Sequence, residues 1–155
     1  MIPGRVRTAL TFAALALFAT AQGAIACAKP EDLPPLQTRA FQTELMVSAL
    51  SCGESARYNR FVTDFRPQLV SDGKALQAYF KREHGSQATA QTDRFITQLA
   101  NLTSERSSRD KNGFCATTKK LYGEVLALKQ PAELKSFVAK QPAPVLPGVA
   151  RCAVN

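Results

Sequence analysis

The sequence contains no tryptophan, a single histidine (His84) and no Cys-x-x-Cys pair. One histidine offers little toward a zinc shell and cannot form a catalytic histidine dyad. Without tryptophan, or aromatic residues interleaved with basic ones, base stacking on nucleic acid is disfavoured. The sequence also has no glycine-rich phosphate loop, His-Glu-x-x-His motif, haem attachment motif or calcium loop, so it predicts no cofactor and no metal site.

Groups that could perform catalysis are scattered along the chain. The only serine-rich run, Ser104 to Ser108, is distant in sequence from His84. Nucleophilic catalysis needs a base beside the nucleophile, and general acid–base catalysis needs converging groups, so we expect a non-catalytic protein. The open alternative is a small hydrolase-like enzyme built on Glu44, Glu83 or His84.

After residue 28, no stretch is long and apolar enough to cross a bilayer. The one strongly apolar stretch, Ala9 to Ala21, follows Arg5 and Arg7 and precedes small residues, an order typical of a secretory signal peptide. We expect residues 1–26 to be removed, with cleavage after residue 21 or an uncleaved anchor as alternatives. Loss of Arg5 and Arg7 lowers the formal net charge from +8 to +6.

All four cysteines lie beyond the expected cleavage site, and an even number in an exported protein indicates two disulfides. Four cysteines allow three pairings. Cys27 and Cys152 lie at the ends of the mature chain, and the termini of a domain are often close together. Cys52 and Cys115 lie in or beside predicted helices. We therefore expect Cys27–Cys152 and Cys52–Cys115, with lipid attachment to Cys27 as a minor alternative.

Hydrophobic periodicity predicts helices over most of the mature chain. Apolar residues recur at three- and four-residue spacing over about residues 36–52, 54–83, 87–105 and 114–129, and a short fifth helix follows Pro131. Prolines predict an extended lead-in at residues 27–35 and an extended strap at residues 141–155. The fold class is therefore all-α: a small up-and-down helical bundle over residues 36–140, with proline-rich ends and two disulfides.

The segment at residues 54–83 is the most periodic. Its stripe comprises Tyr58, Phe61, Val62, Phe65, Leu69, Leu76, Tyr79 and Phe80. The seven-residue spacing continues through Pro67 and Gly73, so we expect one long kinked helix. The alternative is two abutting helices with a joint near Ser71, where Asp72 would act as a helix cap. The opposite face is our candidate interaction surface and carries five cations: Arg57, Arg60, Lys74, Lys81 and Arg82.

The polar run SERSSRDKNG, residues 104–113, has the composition of a loop. We expect it to separate the third and fourth helices and to be flexible and sensitive to proteases.

Four stretches carry a family resemblance: ELMVSALSCGESARYNRFV, AYFKREHG, LANLTSERS and FC. With them, about residues 36–126 resemble a family of small exported bacterial four-cysteine helical proteins. The resemblance implies that Cys52 and Cys115 form a pair. It implies no activity, so it assigns a role to no other residue.

Together these features predict an exported, non-catalytic helical module that is periplasmic or secreted. Its basic surplus favours an anionic envelope polymer or an envelope protein as partner, and nucleic acid is not expected. The alternative from another class is a carrier of a small apolar ligand, with the aromatic stripe of residues 54–83 as the wall of its pocket. The sequence does not specify an oligomeric state.

Overall fold

A computed structural model describes residues 27–152; the predicted signal peptide lies outside this range. Within these residues the chain forms six α-helices: α1 (Leu33–Cys52), α2 (Ser55–Asp64), α3 (Arg66–His84), α4 (Ala88–Arg109), α5 (Lys111–Val125) and α6 (Glu133–Ala139). Single 3-10 turns precede α1 (Pro30–Asp32) and α4 (Gly85–Gln87), and two short strands, β1 (Cys27–Ala28) and β2 (Ala150–Arg151), lie near the ends. The predicted all-α bundle is confirmed.

Helix α1 is the central element, because it packs against each of the other five helices. It begins at Leu33, three residues before the predicted start. Pro34 and Pro35 fall in its first turn, where a backbone N–H is not needed for the helical hydrogen bonds. It ends at Cys52, because Gly53 adopts the left-handed conformation with φ of 74°.

The long helix predicted at residues 54–83 is interrupted by a kink at Phe65, which divides it into α2 and α3. Pro67 causes the kink because it has no N–H to donate to the carbonyl four residues earlier. On either side the helical pattern persists: the N–H of Phe65 donates to the Phe61 carbonyl and that of Leu69 to the Phe65 carbonyl, both at 3.0 Å. The expected alternative joint near Ser71 is wrong, since α3 runs through it.

The polar run at residues 104–113 is helical, and the loop prediction is wrong. Only Asp110 separates α4 from α5. Its side chain caps α5 by accepting a hydrogen bond from the Gly113 N–H at 2.9 Å. Tertiary contacts explain why α4 extends this far: Ser107 is buried, and Arg106 Nη2 lies 2.7 Å from Glu44 Oε1 on α1.

The apolar side chains form two clusters. One lies where α1, α3 and α4 meet and comprises Ala28, Leu36, Ala40, Leu76, Tyr79, Phe80, Phe95 and Leu99. The other lies where α1, α2, α5 and α6 meet and comprises Phe41, Leu45, Phe61, Phe65, Tyr122, Val125, Leu134 and Val138. The stripe of residues 54–83 thus contributes to both clusters, with the kink between its two parts.

Both predicted disulfides are confirmed. Cys52–Cys115 joins the end of α1 to α5 with Cα atoms 5.6 Å apart, and Cys27–Cys152 joins the ends of the described chain at 5.0 Å. Beside the latter, β1 and β2 pair in parallel, and the N–H of Cys152 donates to the Ala28 carbonyl at 3.0 Å. Disulfides of this kind are typical of proteins outside the reducing cytoplasm. Within residues 27–152, no helix has the length and apolar character needed to span a membrane.

Candidate binding site

The predicted cationic face is divided between α2 and α3, and its α2 half is neutralised. Arg57 Nε lies 3.3 Å from Glu54 Oε2, and Arg60 Nε lies 3.2 Å from Asp64 Oδ2. The first pair joins the residue before α2 to the first turn of this helix, and the second joins neighbouring turns of α2. Each α2 arginine therefore has a carboxylate beside it, and α2 presents little net positive charge.

Arg82 on α3 is also paired. Its Nη2 lies 2.8 Å from Asp32 Oδ2 and its Nε lies 2.7 Å from Glu83 Oε1. The guanidinium also lies over the Tyr79 ring, 5.4 Å from the centroid. The hydrogen bonds to Asp32 and Glu83 raise the pKa of Arg82. Since Asp32 is buried in the turn before α1, Arg82 serves as a link between α1 and α3.

The two lysines of the predicted face differ from its arginines. Lys74 and Lys81 lie two turns apart on α3, are exposed, and pair with no carboxylate among residues 27–152. They line a groove of about 560 Å³ between α3 and the first turns of α4, here called the outer groove. Its other lining residues are Gln77, Ala78, Ala88, Thr89, Thr92 and Asp93. Asp93 is the one acid in this lining, so the outer groove carries a positive surplus.

A second cleft adjoins the outer groove and lies between α1, α3 and α4. We call it the inner cleft; its volume is about 110 Å³. It shares Gln77 and Thr92 with the outer groove. Its remaining lining residues are Pro35, Thr38, Arg39, Gln42, Leu69, Asp72, Gly73, Leu76 and Ile96.

Three polar atoms of the inner cleft have no hydrogen-bond partner within the described part of the protein. They are Thr38 Oγ1, Arg39 Nε and Asp72 Oδ2. Asp72 is 8% exposed and Thr38 is 2% exposed. The other Asp72 oxygen, Oδ1, accepts a hydrogen bond from Gln68 Nε2 at 2.9 Å. Asp72 therefore lies inside α3 as a buried carboxylate, and its assignment as a helix cap is wrong.

Among residues 27–152, the Arg39 side chain forms one hydrogen bond. Its Nη1 donates to Gln42 Oε1 at 3.1 Å, and burial lowers the pKa of the guanidinium. Among the described residues it forms no ion pair with Asp72, although both line the inner cleft. The cleft thus presents a carboxylate and a guanidinium that do not neutralise each other by direct contact.

The residues considered for catalysis lie in separate places. Glu44 pairs with Arg106; burial raises the pKa of Glu44, and the Arg106 charge opposes that shift. Glu83 pairs with Arg82, and the His84 ring stacks on Phe80 with centroids 5.8 Å apart. Glu44 lines two clefts, one beside α4 and one beside α5. Glu83 and His84 line neither of these two clefts, nor the outer groove, nor the inner cleft. The three groups do not converge.

The aromatic stripe, expected to form a pocket wall in a carrier, packs on itself. Phe61 and Phe65 have ring centroids 5.4 Å apart, and Tyr79 and Phe80 are 5.1 Å apart. All four are buried and none lines the outer groove or the inner cleft. In this conformation the stripe stabilises the two apolar clusters.

No group of three or more His, Cys, Asp or Glu side chains in residues 27–152 is placed to hold a metal ion. Comparisons with protein-family models, curated proteins and solved structures find no match to this chain. The resemblance to small exported bacterial proteins therefore stays a prediction.

Thr38 and Arg39 were not among the residues singled out from the sequence. Both lie in the central helix α1, which packs against the other five helices. A polar residue inside a central helix is a signal that could have directed attention to them.

Proposed function

We propose that this protein is an exported, non-catalytic binding module that attaches to an anionic polysaccharide of the cell envelope through its outer groove. The observation that carries the proposal is the pair Lys74 and Lys81, which lie on the rim of one groove and pair with no carboxylate among residues 27–152. Periplasmic or secreted residence follows from the predicted signal peptide and is consistent with the two disulfides.

Charge favours a polyanion over a neutral partner. The expected mature chain carries a formal net charge of +6, obtained by removing Arg5 and Arg7 from the full chain at +8. Such a surplus attracts anionic polymers at long range. Because the arginines of α2 and Arg82 are already paired, the free charge of this face is concentrated at Lys74 and Lys81.

The shape of the outer groove fits a chain-like ligand better than a single ion. Lys74 and Lys81 are seven residues apart, which places their Cα atoms about 10 Å apart along the helix. Two anionic groups of one polymer can contact both lysines at this spacing. The groove between them, about 560 Å³, is open enough to hold the sugar units that join those groups.

The test is binding to immobilised heparin, used as a sulfated polysaccharide, at several salt concentrations. The variant is Lys74→Gln/Lys81→Gln. Its matched control is Lys135→Gln/Lys140→Gln, which removes two exposed lysines of the α6 region that also lack an ion pair among the described residues. We expect the first variant to bind about three- to tenfold more weakly at low salt, and the control to change little. Binding should weaken as salt rises, because screening shortens the range of these charges.

Equal losses in both variants would show that net charge alone drives the interaction and would contradict a site in the outer groove. Absence of binding at low salt would overturn the polysaccharide proposal and favour an envelope protein as partner. Stronger retention on anionic lipid vesicles than on heparin would likewise overturn it.

A further inference from the structure

We propose that the inner cleft is a binding site for a small zwitterion of the amino-acid type, with the ligand's ammonium group on Asp72 and its carboxylate on Arg39. This inference does not depend on the polysaccharide proposal, because the two sites use different charged residues. Gln77 and Thr92 line both sites and mark where the inner cleft opens to the outer groove.

Unpartnered polar atoms are concentrated in the residues of the inner cleft. Most buried polar atoms in folded proteins have a hydrogen-bond partner, and each one left without it costs stability. In the described part of this chain, all the buried side-chain atoms that lack a protein partner belong to residues that line the inner cleft: Thr38 Oγ1, Arg39 Nε and Asp72 Oδ2. Their clustering in one place indicates a site whose partners come from another molecule.

The chemistry of these side chains defines a complementary ligand. The Asp72 carboxylate only accepts hydrogen bonds, the Arg39 guanidinium only donates them, and the Thr38 hydroxyl does both. A complementary ligand must therefore carry a donor for Asp72 and an acceptor for Arg39. Since the site combines one negative and one positive side chain, a zwitterion satisfies both charges and leaves no net charge buried.

The volume of the inner cleft fits a small molecule. A single water needs about 10–15 Å³ of such space, and the inner cleft offers about 110 Å³. That volume admits several waters or one small organic molecule, but not a peptide or a sugar chain. Apolar contacts with Leu69, Leu76 and Ile96 can cover the carbon atoms of such a ligand.

The test is isothermal titration of the oxidised protein with L-serine. Ethanolamine and 3-hydroxypropanoate serve as matched probes, because the first is serine without its carboxylate and the second is serine without its ammonium group. We expect L-serine to bind with a Kd of about 1 mM or tighter, and each single-charge probe about tenfold or more weakly. Glycine and L-alanine, tested in parallel, should bind as well, since they keep both charges.

Two variants examine the named side chains. Asp72→Asn keeps an oxygen that can accept the hydrogen bond from Gln68 but removes the charge, and we expect about tenfold or greater loss of L-serine affinity. Arg39→Gln should lose affinity similarly. Asp64→Asn, an exposed carboxylate on α2, is the control and should bind as the parent does. The pair Lys74→Gln/Lys81→Gln should also retain L-serine binding.

Folding and binding are separated by thermal unfolding. Because Asp72→Asn removes a buried charge with an unpartnered oxygen, its melting temperature without ligand should equal or exceed that of the parent. If Asp72→Asn is as stable as the parent but no longer binds L-serine, the loss is due to the missing carboxylate and not to unfolding. Absence of saturable binding by all three amino acids would overturn the proposal and assign the cleft to water. Equal affinity for ethanolamine and L-serine, or equal loss in Asp72→Asn and Asp64→Asn, would overturn it too.

Discussion

The hydroxyl group of Ser48 donates a hydrogen bond to the hydroxyl oxygen of Thr118 at 2.7 Å, and both side chains are fully buried. The Thr118 hydroxyl in turn donates a hydrogen bond to the Phe114 carbonyl at 2.9 Å. About one turn away on each helix lies the disulfide between Cys52 and Cys115. The contact between α1 and α5 therefore combines a polar link and a covalent link side by side.

Replacing Thr118 with valine should destabilise the protein by about 1–3 kcal/mol, because Ser48 then loses its buried acceptor. The double variant Ser48→Ala/Thr118→Val should lose less stability than the sum of the two single variants, because it leaves neither hydroxyl buried without its partner. Urea unfolding of the oxidised proteins measures both effects. Strict additivity of the single changes would contradict a direct interaction.

Removing the terminal disulfide should release the strap without unfolding the bundle. The chain-entropy model gives an upper limit of about 5 kcal/mol for Cys27–Cys152, which closes a 125-residue separation. In Cys27→Ser/Cys152→Ser we expect helical circular dichroism to persist while trypsin cuts faster after Lys140. A protease pattern identical to that of the parent would show that the strap is held by its packing alone.

Two glycines of α5 form a matched pair for a stability test. Gly123 is exposed in the helix, and a methyl group there would meet no other atom within 4 Å, so Gly123→Ala should stabilise by about 0.5–1 kcal/mol. At Gly113 the same methyl would overlap the Asp110 carboxylate that caps α5. Gly113→Ala should therefore bring no gain. Urea unfolding compares the two, and equal stabilisation would argue against the Asp110 cap.

Local signals in the sequence account for much of the fold. The end of α1 at Gly53, the kink produced by Pro67 and the phase of the stripe across it are encoded by residues close in sequence. The disulfide pairing could be predicted because two cysteines lie at the ends of the mature chain and the other two lie in or beside predicted helices. The helical course of residues 104–109 was not predictable in this way, because the contacts that accompany it, such as that of Arg106 with Glu44 on α1, join residues far apart in the sequence.

The inner cleft was inaccessible to sequence reasoning for the same reason. Thr38 and Asp72 are 34 positions apart in the numbering and become neighbours of one cleft only through the packing of α1 against α3. The outer groove was partly predictable: periodicity placed Lys74 and Lys81 on one helix face. That the arginines of this face are paired and these lysines are not could be learned only from the structure.

Glu44 should titrate above the ordinary glutamate pKa of 4.5, and Glu133 should titrate below it. Burial raises the pKa of Glu44, whereas hydrogen bonds from the backbone N–H groups of Gln130 and Lys129 lower the pKa of Glu133. Side-chain carboxyl NMR over a pH series measures both midpoints. A Glu44 midpoint below that of Glu133 would contradict these environments.

The two shifts affect stability with opposite signs. Glu133, with its lowered pKa, contributes stability that is present above pH 4.5 and is lost as the pH falls through its folded pKa. Glu44, with its raised pKa, makes the folded state less favourable as the pH rises from 4.5 through its folded pKa. In Glu133→Gln the loss of stability on acidification should therefore be smaller than in the parent, as measured by urea unfolding at pH 3 to 7.

The central claim is that the outer groove, rather than the basic surface as a whole, binds the anionic polymer. The most direct measurement is an NMR titration of the ¹⁵N-labelled oxidised protein with a short heparin oligosaccharide. We predict that the largest shift changes occur at Lys74, Lys81 and the first turn of α4, starting at Ala88. Changes of similar size on α6, or spread evenly over the exposed lysines and arginines, would contradict the account.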